Sequence, residues 1–336
     1  MNKYIFLNEV DNMFEELKSK RILITGATGL VGQALIKVAF QNNMRIIAVV
    51  RDVKKAKKLF SAIRDITYIE SDLLRIPLKN YGVDYIIHAA ANTSSKAFVE
   101  EPVNIIDNTF SGTKHVLELA KINQVKSLVF LSSMEIYGPQ KTDEKIEETH
   151  SSAIDTMIPR FCYPEAKRIS ENLCASYYSQ YDVPAKVVRL TQTFGPGVRY
   201  NDGRVFAEFA RCVIEEKDII LHTKGETRRS YLYTEDAAMA IFTVMIKGIP
   251  GEAYNAANEE TYCTIYEMAK LVAQKCAHNR IKVIIKDDND GTYGYAPTLH
   301  MNLDTSKLKA LGWQPSTNLE DIYKFMIESM INNDEN

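Results

Sequence analysis

The sequence lacks a long hydrophobic run and a secretory signal. None of its apolar stretches reaches the ~18 uninterrupted residues that a membrane-spanning helix needs, so we expect no membrane partner. Residues 1–20 have a short apolar patch followed by acids, without the apolar core and small-residue cleavage site of a signal peptide; their sequence is MNKYIFLNEVDNMFEELKSK. We therefore expect a cytoplasmic protein.

Cysteine and histidine are scarce. The 5 cysteines form no Cys-x-x-Cys pair, and their odd number suits a reducing compartment better than a disulfide framework. The 6 histidines are scattered, without the spacing that places two metal ligands on one helix face. We expect no metal site.

An excess of positive charge is also missing. The 41 basic and 43 acidic residues leave a net charge of −2, whereas proteins that bind DNA or RNA usually display concentrated basic charge. We therefore expect no nucleic-acid partner. With 336 residues, 46% of them hydrophobic, the chain can bury a large core and is long enough for two domains.

What is present is an alternation of short apolar runs with longer helical patterns. Apolar runs without polar alternation predict strands that are covered on both faces, and helices between them predict right-handed crossovers in a parallel sheet. The predicted fold class is therefore α/β, with a doubly wound parallel sheet. The apolar runs, in chain order, are RILIT, RIIAVV, ITYIE, DYIIHAA, KSLVFLSS and AKVVRL.

Three glycines follow the first predicted strand in a G-x-x-G-x-x-G spacing, within TGATGLVG. Glycine permits the tight turn and the close approach of a pyrophosphate, which the N-terminus of the following helix stabilises. The alternative is a loop whose glycines only tighten helix packing, but a strand before and a helix after are the context that a dinucleotide site needs. The residues predicted to contact the cofactor here are Gly26, Thr28, Gly29, Leu30, Val31 and Gly32.

The end of the second predicted strand should face the adenine ribose. A carboxylate there favours NAD, whereas an arginine accommodates the 2′-phosphate of NADP. Arg51 follows the strand directly and Asp52 comes one residue later, so either side chain could turn toward the ribose; we expect NADP(H) to be favoured over NAD(H). His88 lies at another strand end but is expected to be a core histidine. Other residues expected beside the cofactor are Asp72, Leu73, Ala89, Ala90, Ala91 and Asn108.

The regular alternation fades after Leu190. TQTFGPGVRYNDGR, residues 191–204, is rich in Gly, Asn and Asp and predicts a long loop, which in a compact domain is usually functional. A helix and a strand of the main domain are then predicted in YLYTEDAAMAIFTVMIK and GEAYNAAN. We predict an N-terminal extension over 1–20, a dinucleotide-binding domain over 21–190 plus about 231–258, and an interleaved substrate-binding lobe over about 191–230 plus 259–336.

A tyrosine and a lysine stand four positions apart in RFCYPEAKRISENL, at the head of a predicted helix. Tyr163 and Lys167 share one helix face, so the ammonium can lower the pKa of the phenol. The spacing is common by chance, and an aromatic ring packed beside a solvated charge is the alternative. Ser133 ends a buried strand in VFLSSMEIYG, at the sheet edge that lines the crevice of open α/β folds, and is a candidate to meet Tyr163 over one substrate.

Together these motifs resemble the extended short-chain dehydrogenase/reductase family of NAD(P)-dependent nucleotide-sugar epimerases, dehydratases and decarboxylases. The resemblance also includes DNTFSGTKHVLELA, FGPG, RSYLYTEDAA, GEAYNAAN and DTSKLKALGWQP, and so covers nearly the whole chain from Arg21. It implies a Rossmann fold, with Tyr163 as general base and acid and Lys167 as the residue that lowers its pKa and binds the nicotinamide ribose. Ser133 would hydrogen-bond the reacting hydroxyl, and we expect a homodimer.

Residues next to Ser133 bear on the reaction. The 4,6-dehydratases of this family carry an Asp-Glu pair there, whereas this chain has Met134 and Glu135, and a thioether cannot protonate a leaving hydroxyl. UDP-glucuronate decarboxylases look closer, since their CYDEGKR is similar to CYPEAKR, their Thr-Ser-Glu is similar to Ser-Met-Glu here, and their NDGRV also occurs. In that family Glu135 and Arg229 would act near the sugar carboxylate.

Two positions depart from the decarboxylase pattern. The Asp that follows the second strand in that family is Arg51 here, and an asparagine of its substrate loop aligns with Gln192. Glu135 has a structural alternative, bonding backbone at a strand end, and Arg229 could equally be a surface ion-pair residue. In the resemblance Arg229 faces the nucleotide diphosphate, which a planar guanidinium suits.

We therefore expect an NADP(H)-preferring oxidoreductase that acts on a nucleotide-linked sugar, by net keto reduction or epimerisation, in the synthesis of cell-surface polysaccharide precursors. The alternatives are a UDP-glucuronate-type decarboxylase and a non-catalytic NAD(P)-binding regulator, and the intact catalytic residues weigh against the second. The expected catalytic residues are Ser133, Glu135, Tyr163 and Lys167. The residues expected to bind a nucleotide-diphosphate sugar are Thr93, Ser133, Met134, Gln192, Arg204, Val205 and Arg229.

Overall fold

Seven parallel strands form the central sheet of the computed structural model, which describes residues 14–286 and 298–334. Their order across the sheet is β10-β6-β5-β4-β1-β2-β3, and the predicted α/β fold class is confirmed. Residues 1–13 of the predicted N-terminal extension lie outside the described residues. The strands are β1 Arg21–Thr25, β2 Arg45–Val50, β3 Ile66–Glu70, β4 Tyr85–His88, β5 Ser127–Ser133, β6 Ala185–Leu190, β7 Gln192–Phe194, β8 Ile219–Leu221, β9 Arg228–Tyr233, β10 Ala253–Ala256, β11 Asn258–Thr264, β12 Val283–Ile285 and β13 His300–Met301.

Helices cover both faces of the central sheet. Within α4, Pro102 occupies the first turn, where its missing N–H costs nothing, and Gln124 ends the helix in the left-handed conformation with φ of 48°. Among the described residues, no helix is both long and apolar enough to cross a membrane. The helices are α1 Leu30–Gln41, α2 Val53–Leu59, α3 Ser95–Glu100, α4 Pro102–Asn123, α5 Cys162–Tyr181, α6 Val205–Ile214, α7 Thr234–Lys247, α8 Ile265–Leu271, α9 Ser306–Lys309 and α10 Leu319–Asp334.

The apolar runs form strands because both sides of the sheet are covered. Along β1, Ile22 and Ile24 are buried in one core cluster and Leu23 in another. Successive side chains of a strand point to opposite faces, so a strand that is covered on both faces, such as β1, needs apolar residues on both of its sides. This explains why the runs show no polar alternation.

A smaller sheet follows β6 in the chain, and it corrects one prediction. Residues 192–194 lie within the segment predicted as a loop, but they form β7, which pairs in parallel with β9. Phe194 is fully buried and stacks on Phe206 with 4.6 Å between ring centroids. Contacts distant in sequence therefore fix this strand, and a Gly-rich local sequence gives no signal for it.

The chain crosses between the two sheets more than once. β9 pairs with β7, β11 and β13 in the smaller sheet, whereas β10, which comes next in sequence after β9, joins β6 at the edge of the central sheet. The helix α7 between them packs against α1. The exact interleaved domain boundaries stay a prediction.

The glycine turn between β1 and α1 is packed too tightly for side chains. Gly26 has a φ of 68°, and a Cβ there would lie 2.6 Å from the Ala90 nitrogen. A Cβ on Gly32 would lie 2.1 Å from the Gly26 carbonyl oxygen. Both contacts are with backbone atoms, which cannot move away as a flexible side chain could.

We expect Gly32→Ala to destabilise the fold by about 1–3 kcal/mol, the usual cost of overpacking, and to weaken dinucleotide binding with it. Chemical denaturation and calorimetric titration with NADPH measure the two effects. Gly203→Ala is the matched control, because a Cβ at that glycine meets nothing within 4 Å. An unfolding free energy for Gly32→Ala equal to that of the control would contradict this account of the turn.

Candidate active site

The carboxyl ends of β1 and β4 meet beside the glycine turn. His88 is 2% exposed, and its Nδ1 and the Thr25 hydroxyl lie 2.8 Å apart. The same hydroxyl accepts a hydrogen bond from the Ala90 backbone at 3.3 Å. Burial, and then the charge of Lys167, lower the pKa of His88 to about 3, so it is neutral. His88 is therefore a core histidine that fixes this edge, as the sequence predicts.

Ser133 and Tyr163 lie together at the end of β5. Ser133 is the last residue of that strand, and Tyr163 is the second residue of α5 and 5% exposed. The Ser133 hydroxyl lies near the phenol of Tyr163 and acts to lower the phenol's pKa. The Ser133 oxygen accepts from the Glu135 backbone N–H at 3.2 Å.

The pKa of the Tyr163 phenol lies above its ordinary value. Burial is the main cause, and the nearby charge of Glu135 adds to it. The sequence predicts the opposite shift, caused by Lys167. In the structure the Lys167 ammonium donates to the Leu131 carbonyl at 2.6 Å and lies 5.8 Å from the centroid of the Tyr163 ring. Desolvation therefore sets the direction of the shift, which is opposite to the one that the sequence predicts.

Lys167 is itself a strongly perturbed group. It is 2% exposed, and burial lowers its pKa to about 8. Its ammonium also lies 4.4 Å from the centroid of Phe130, a favourable cation–π distance. The ammonium has three donors and the one hydrogen bond to Leu131, so donors remain that could bind ribose hydroxyls.

Glu135 lies between two arginines. Arg160 Nη1 lies 3.7 Å from Glu135 Oε2, and both side chains are partly exposed. Desolvation raises the pKa of Glu135, while the charges of Arg160 and Arg229 oppose that shift. Met134 points the other way: it is 6% exposed and packs with Ile136 in a small core cluster. Met134 therefore packs in this cluster, and its predicted substrate contact stays a prediction.

The other predicted substrate residues differ in whether their polar groups have hydrogen-bond partners. The Arg204 guanidinium donates two hydrogen bonds to the Asp202 carboxylate, of 2.9 and 2.7 Å. Arg229 on β9 has a buried Nε that finds no hydrogen-bond partner among the residues described. Gln192 and Val205 are half-buried, and Thr93 is exposed. A buried guanidinium nitrogen without a partner indicates a place for an anionic ligand.

A recess of about 400 Å³ lies beyond the end of β2, lined by Arg51, Glu70, Ser71, Asp72 and Arg75. Asp52 does not line it, because its carboxylate caps α2 by accepting from the Lys55 backbone at 2.9 Å. Arg51 is exposed and forms no ion pair with any described residue. At the end of β2, Arg51 therefore lines the recess, whereas Asp52 caps α2.

Other residues expected beside the cofactor surround this edge. Leu73 packs closely on α4, where a Cβ on Gly112 would lie 2.3 Å from its side chain. Ala89 and Ala90 are half-buried after β4, whereas Ala91 and Asn108 are exposed. Thr28, Leu30 and Val31 are half-buried and Gly29 is exposed in the turn that opens α1. The N-terminus of α1 has no side-chain cap, so its N–H groups fit a pyrophosphate.

Sequence reasoning missed Arg75, Phe98 and Arg160. Arg75 ends a short 3₁₀ turn, and Phe98 stacks on Tyr163 with 4.5 Å between ring centroids. Arg160 lies only three residues before Tyr163, and that proximity was the one available signal. An arginine in a loop or a phenylalanine in a short helix carries no pattern that marks its tertiary neighbours.

Comparison with known proteins identifies a family and several relatives. The family model for the NAD dependent epimerase/dehydratase family matches residues 22–257. UDP-glucuronic acid decarboxylase 1 from Xenopus tropicalis is 28% identical over 320 residues, which cover 94% of this chain and 72% of the relative. UDP-glucuronic acid decarboxylase 6 from Arabidopsis thaliana is 26% identical over 318 residues, 92% of this chain and 88% of the relative.

Solved structures share the fold. UDP-glucose 4-epimerase from Thermotoga maritima, solved with UDP-glucose, superposes with a TM-score of 0.79 at 23% identity, covering 93% of this chain and 99% of that one. dTDP-glucose 4,6-dehydratase from Bacillus anthracis, solved in complex with NAD, gives a TM-score of 0.76 at 20% identity over 94% and 98% of the two chains. At these identities the likeness establishes the fold alone.

We expect Tyr163→Phe to lower turnover by about 10²–10⁴-fold, the usual contribution of a proton-transfer group, and to leave cofactor affinity near that of the wild type. Phenylalanine retains the stacking on Phe98 but cannot transfer a proton. Steady-state kinetics and cofactor titration measure the two quantities, with Tyr178→Phe, an exposed tyrosine of the same helix, as control. A variant that keeps more than about half of its activity would remove Tyr163 from the chemistry.

Proposed function

The chain belongs to the NAD dependent epimerase/dehydratase family, and from this premise we propose that it is an NADP(H)-preferring oxidoreductase that acts on a nucleotide-linked sugar. Net reduction of a keto-sugar is the favoured reaction, with epimerisation as its closest variant. The proposed cofactor preference rests on the positions of Arg51 and Asp52 at the end of β2.

These two adjacent side chains have different surroundings. Asp52 is not among the residues that line the recess, and its Oδ1 caps α2 at 2.9 Å. The Arg51 guanidinium lines the recess and forms no ion pair with any described residue. A planar guanidinium forms charge-assisted hydrogen bonds with a phosphate, but gains little from a hydroxyl. The site therefore favours the cofactor that carries a 2′-phosphate.

The Tyr163 phenol can donate the proton that a reduction needs. Like any phenol it keeps its proton at neutral pH, and burial raises its pKa further, so it can deliver that proton to a carbonyl oxygen. When bound, a reduced nicotinamide supplies the hydride that adds to the carbonyl carbon. Tyr163 gives its proton to the oxygen, and the neighbouring Ser133 hydroxyl orients the same oxygen. In the reverse direction the same groups take the proton from a hydroxyl.

Arg229 supports an anionic substrate. Its Nε is buried and finds no partner among the described residues, and leaving such a donor unpaired costs free energy unless a ligand accepts from it. A nucleotide diphosphate offers several oxygens with the charge and spacing that a guanidinium binds well. The curated relatives quoted above are named for UDP-linked substrates, which agrees with this choice.

Decarboxylation of a nucleotide-linked uronate is the second candidate. Glu135 lies between Arg160 and Arg229, an arrangement that can hold a sugar carboxylate beside a proton-accepting group. The relatives named UDP-glucuronic acid decarboxylase favour the same reading. This reaction returns the hydride to the same sugar and releases CO₂, so it consumes no external reductant.

We also propose a homodimer, formed through α4 and α5. These helices pack side by side and leave apolar residues on the surface: Val103 is 75% exposed, Ile106 46% and Ile169 47%. A second copy of the chain would cover all three with an equivalent face, as a two-fold interface requires. The mass in solution, measured by light scattering, decides between one copy and two.

We expect Arg51→Ala to weaken NADPH binding by about 1.5–3 kcal/mol, the scale of a hydrogen bond to a charged group, and to change NADH binding little. Asp52→Ala is the matched control, since it removes a helix cap but should leave the ratio of the two affinities unchanged. Calorimetric titration with each cofactor measures this ratio. Equal losses for both cofactors, or a wild-type preference for NADH, would assign the ribose to Asp52 after all.

A substrate panel separates the reactions. We expect the purified enzyme to oxidise NADPH in stoichiometric amounts with a UDP-, CDP-, GDP- or dTDP-linked keto-sugar and to leave UDP-glucuronate unchanged, as followed by absorbance and by mass spectrometry of the products. Isomerisation of a sugar at constant NADPH would replace reduction by epimerisation. Formation of UDP-xylose from UDP-glucuronate without added NADPH would establish the second candidate instead.

A further inference from the structure

Two aromatic rings face each other at the proposed proton-transfer residue. Phe98 comes from the short helix α3 and is 1% exposed, and its ring lies parallel to that of Tyr163, with an interplanar angle of 13° and 4.5 Å between centroids. On its polar side the Tyr163 phenol meets the Ser133 hydroxyl. The tyrosine is thus held from two elements besides its own helix.

Arg160 connects that aromatic pair to Glu135. Its guanidinium carbon lies 4.9 Å from the centroid of Phe98, and its Nη1 lies 3.7 Å from Glu135 Oε2. The Glu135 backbone in turn donates to Ser133 Oγ at 3.2 Å. These contacts close a circuit, which we call the contact circuit; its members in order are Ser133, Tyr163, Phe98, Arg160 and Glu135.

We infer that Phe98 and Arg160 are positioning residues, which hold the Tyr163 phenol, the Ser133 hydroxyl and the Glu135 carboxylate in one fixed arrangement around the reacting carbonyl. This inference rests on the proposed function, in which Tyr163 transfers the proton. Proton transfer requires the phenol within hydrogen-bond reach of the substrate oxygen, so a small rotation of its ring carries a large cost in rate.

The residue types suit this task. Parallel stacking restricts how far the Tyr163 ring can tilt, because a rotated ring would lose contact with Phe98. A guanidinium is planar and can lie over an aromatic ring while its N–H groups bind a carboxylate, which an ammonium does less well. Arg160 therefore restrains Glu135, whose charge acts on the phenol.

The partial exposure of Arg160 and Glu135 separates a positioning role from a role in the stability of the fold. The side chains of Arg160 and Glu135 are 37% and 36% exposed, and an ion pair at that exposure contributes little to folding. Loss of Arg160 should therefore leave the fold intact and act on the geometry of the site. Phe98 is buried, so changes there need a control for stability.

The first experiment uses kinetics with a nucleotide-linked sugar that the wild type turns over. Arg160→Ala and Phe98→Leu should each lower kcat about 10- to 100-fold, as expected for a displaced catalytic group, with KM little changed. Arg160→Lys and Phe98→Tyr should recover part of the loss. Arg64→Ala, at an exposed arginine, and Phe60→Leu, at a buried ring of the main core, are the matched controls and should keep kcat.

The second experiment needs no substrate. A fluorotyrosine placed at position 163 reports its surroundings by fluorine NMR, and Arg160→Ala should shift or broaden its resonance although Arg160 acts only through Phe98 and Glu135. Arg64→Ala should leave the resonance unchanged. If Phe98→Leu folds poorly, Phe98→Tyr and Arg160→Ala decide by the same readout.

An unchanged resonance in Arg160→Ala, or a kcat equal to that of Arg64→Ala, would overturn the inference. A wild-type enzyme that turns over no nucleotide-linked sugar would instead count against the proposed function, and the resonance at position 163 would still test the contact circuit by itself. The two failures are therefore distinguishable.

Discussion

The parallel direction of the seven central strands is the constraint on which the site depends. Because every strand runs the same way, all of their carboxyl ends emerge at one edge, and the residues that follow them are brought together. Gly26 follows β1, Arg51 follows β2, Ala89 follows β4 and Ser133 ends β5. Segments more than 100 residues apart in the chain thus form one surface, with the N-terminus of α1 opening onto it.

Burial is the second constraint, and it sets the chemistry of that surface. The same packing that covers the sheet on both faces leaves His88, Tyr163 and Lys167 almost without water, and each departs from its ordinary pKa in the direction of its neutral form. Tyr163 and Lys167 are thus shifted by the same cause, exclusion of water, and not by each other's charge.

Sequence reasoning succeeded where a feature is local or periodic. The central strands are apolar runs, the glycine turn lies between a strand and a helix, and Tyr163 and Lys167 share a helix face, so each could be read from spacing alone. It failed where a distant partner decides. The strand β7 exists because β9 pairs with it, within a segment whose local sequence predicts a loop. Lys167 donates to the Leu131 carbonyl, which no spacing along a helix reveals.

The sequence by itself determined the fold class, the family resemblance and the identity of the residues that could carry chemistry, because hydrophobic periodicity and glycine spacing are properties of the chain read in order. Only the tertiary structure decided how those residues are used. It assigned Asp52 to a helix cap and left Arg51 for the recess, raised the pKa of Tyr163 by burial, and brought Phe98 and Arg160 to the phenol. The physical reason is that competition for hydrogen-bond partners and exclusion of water depend on neighbours in space, and these are fixed only when the chain is folded.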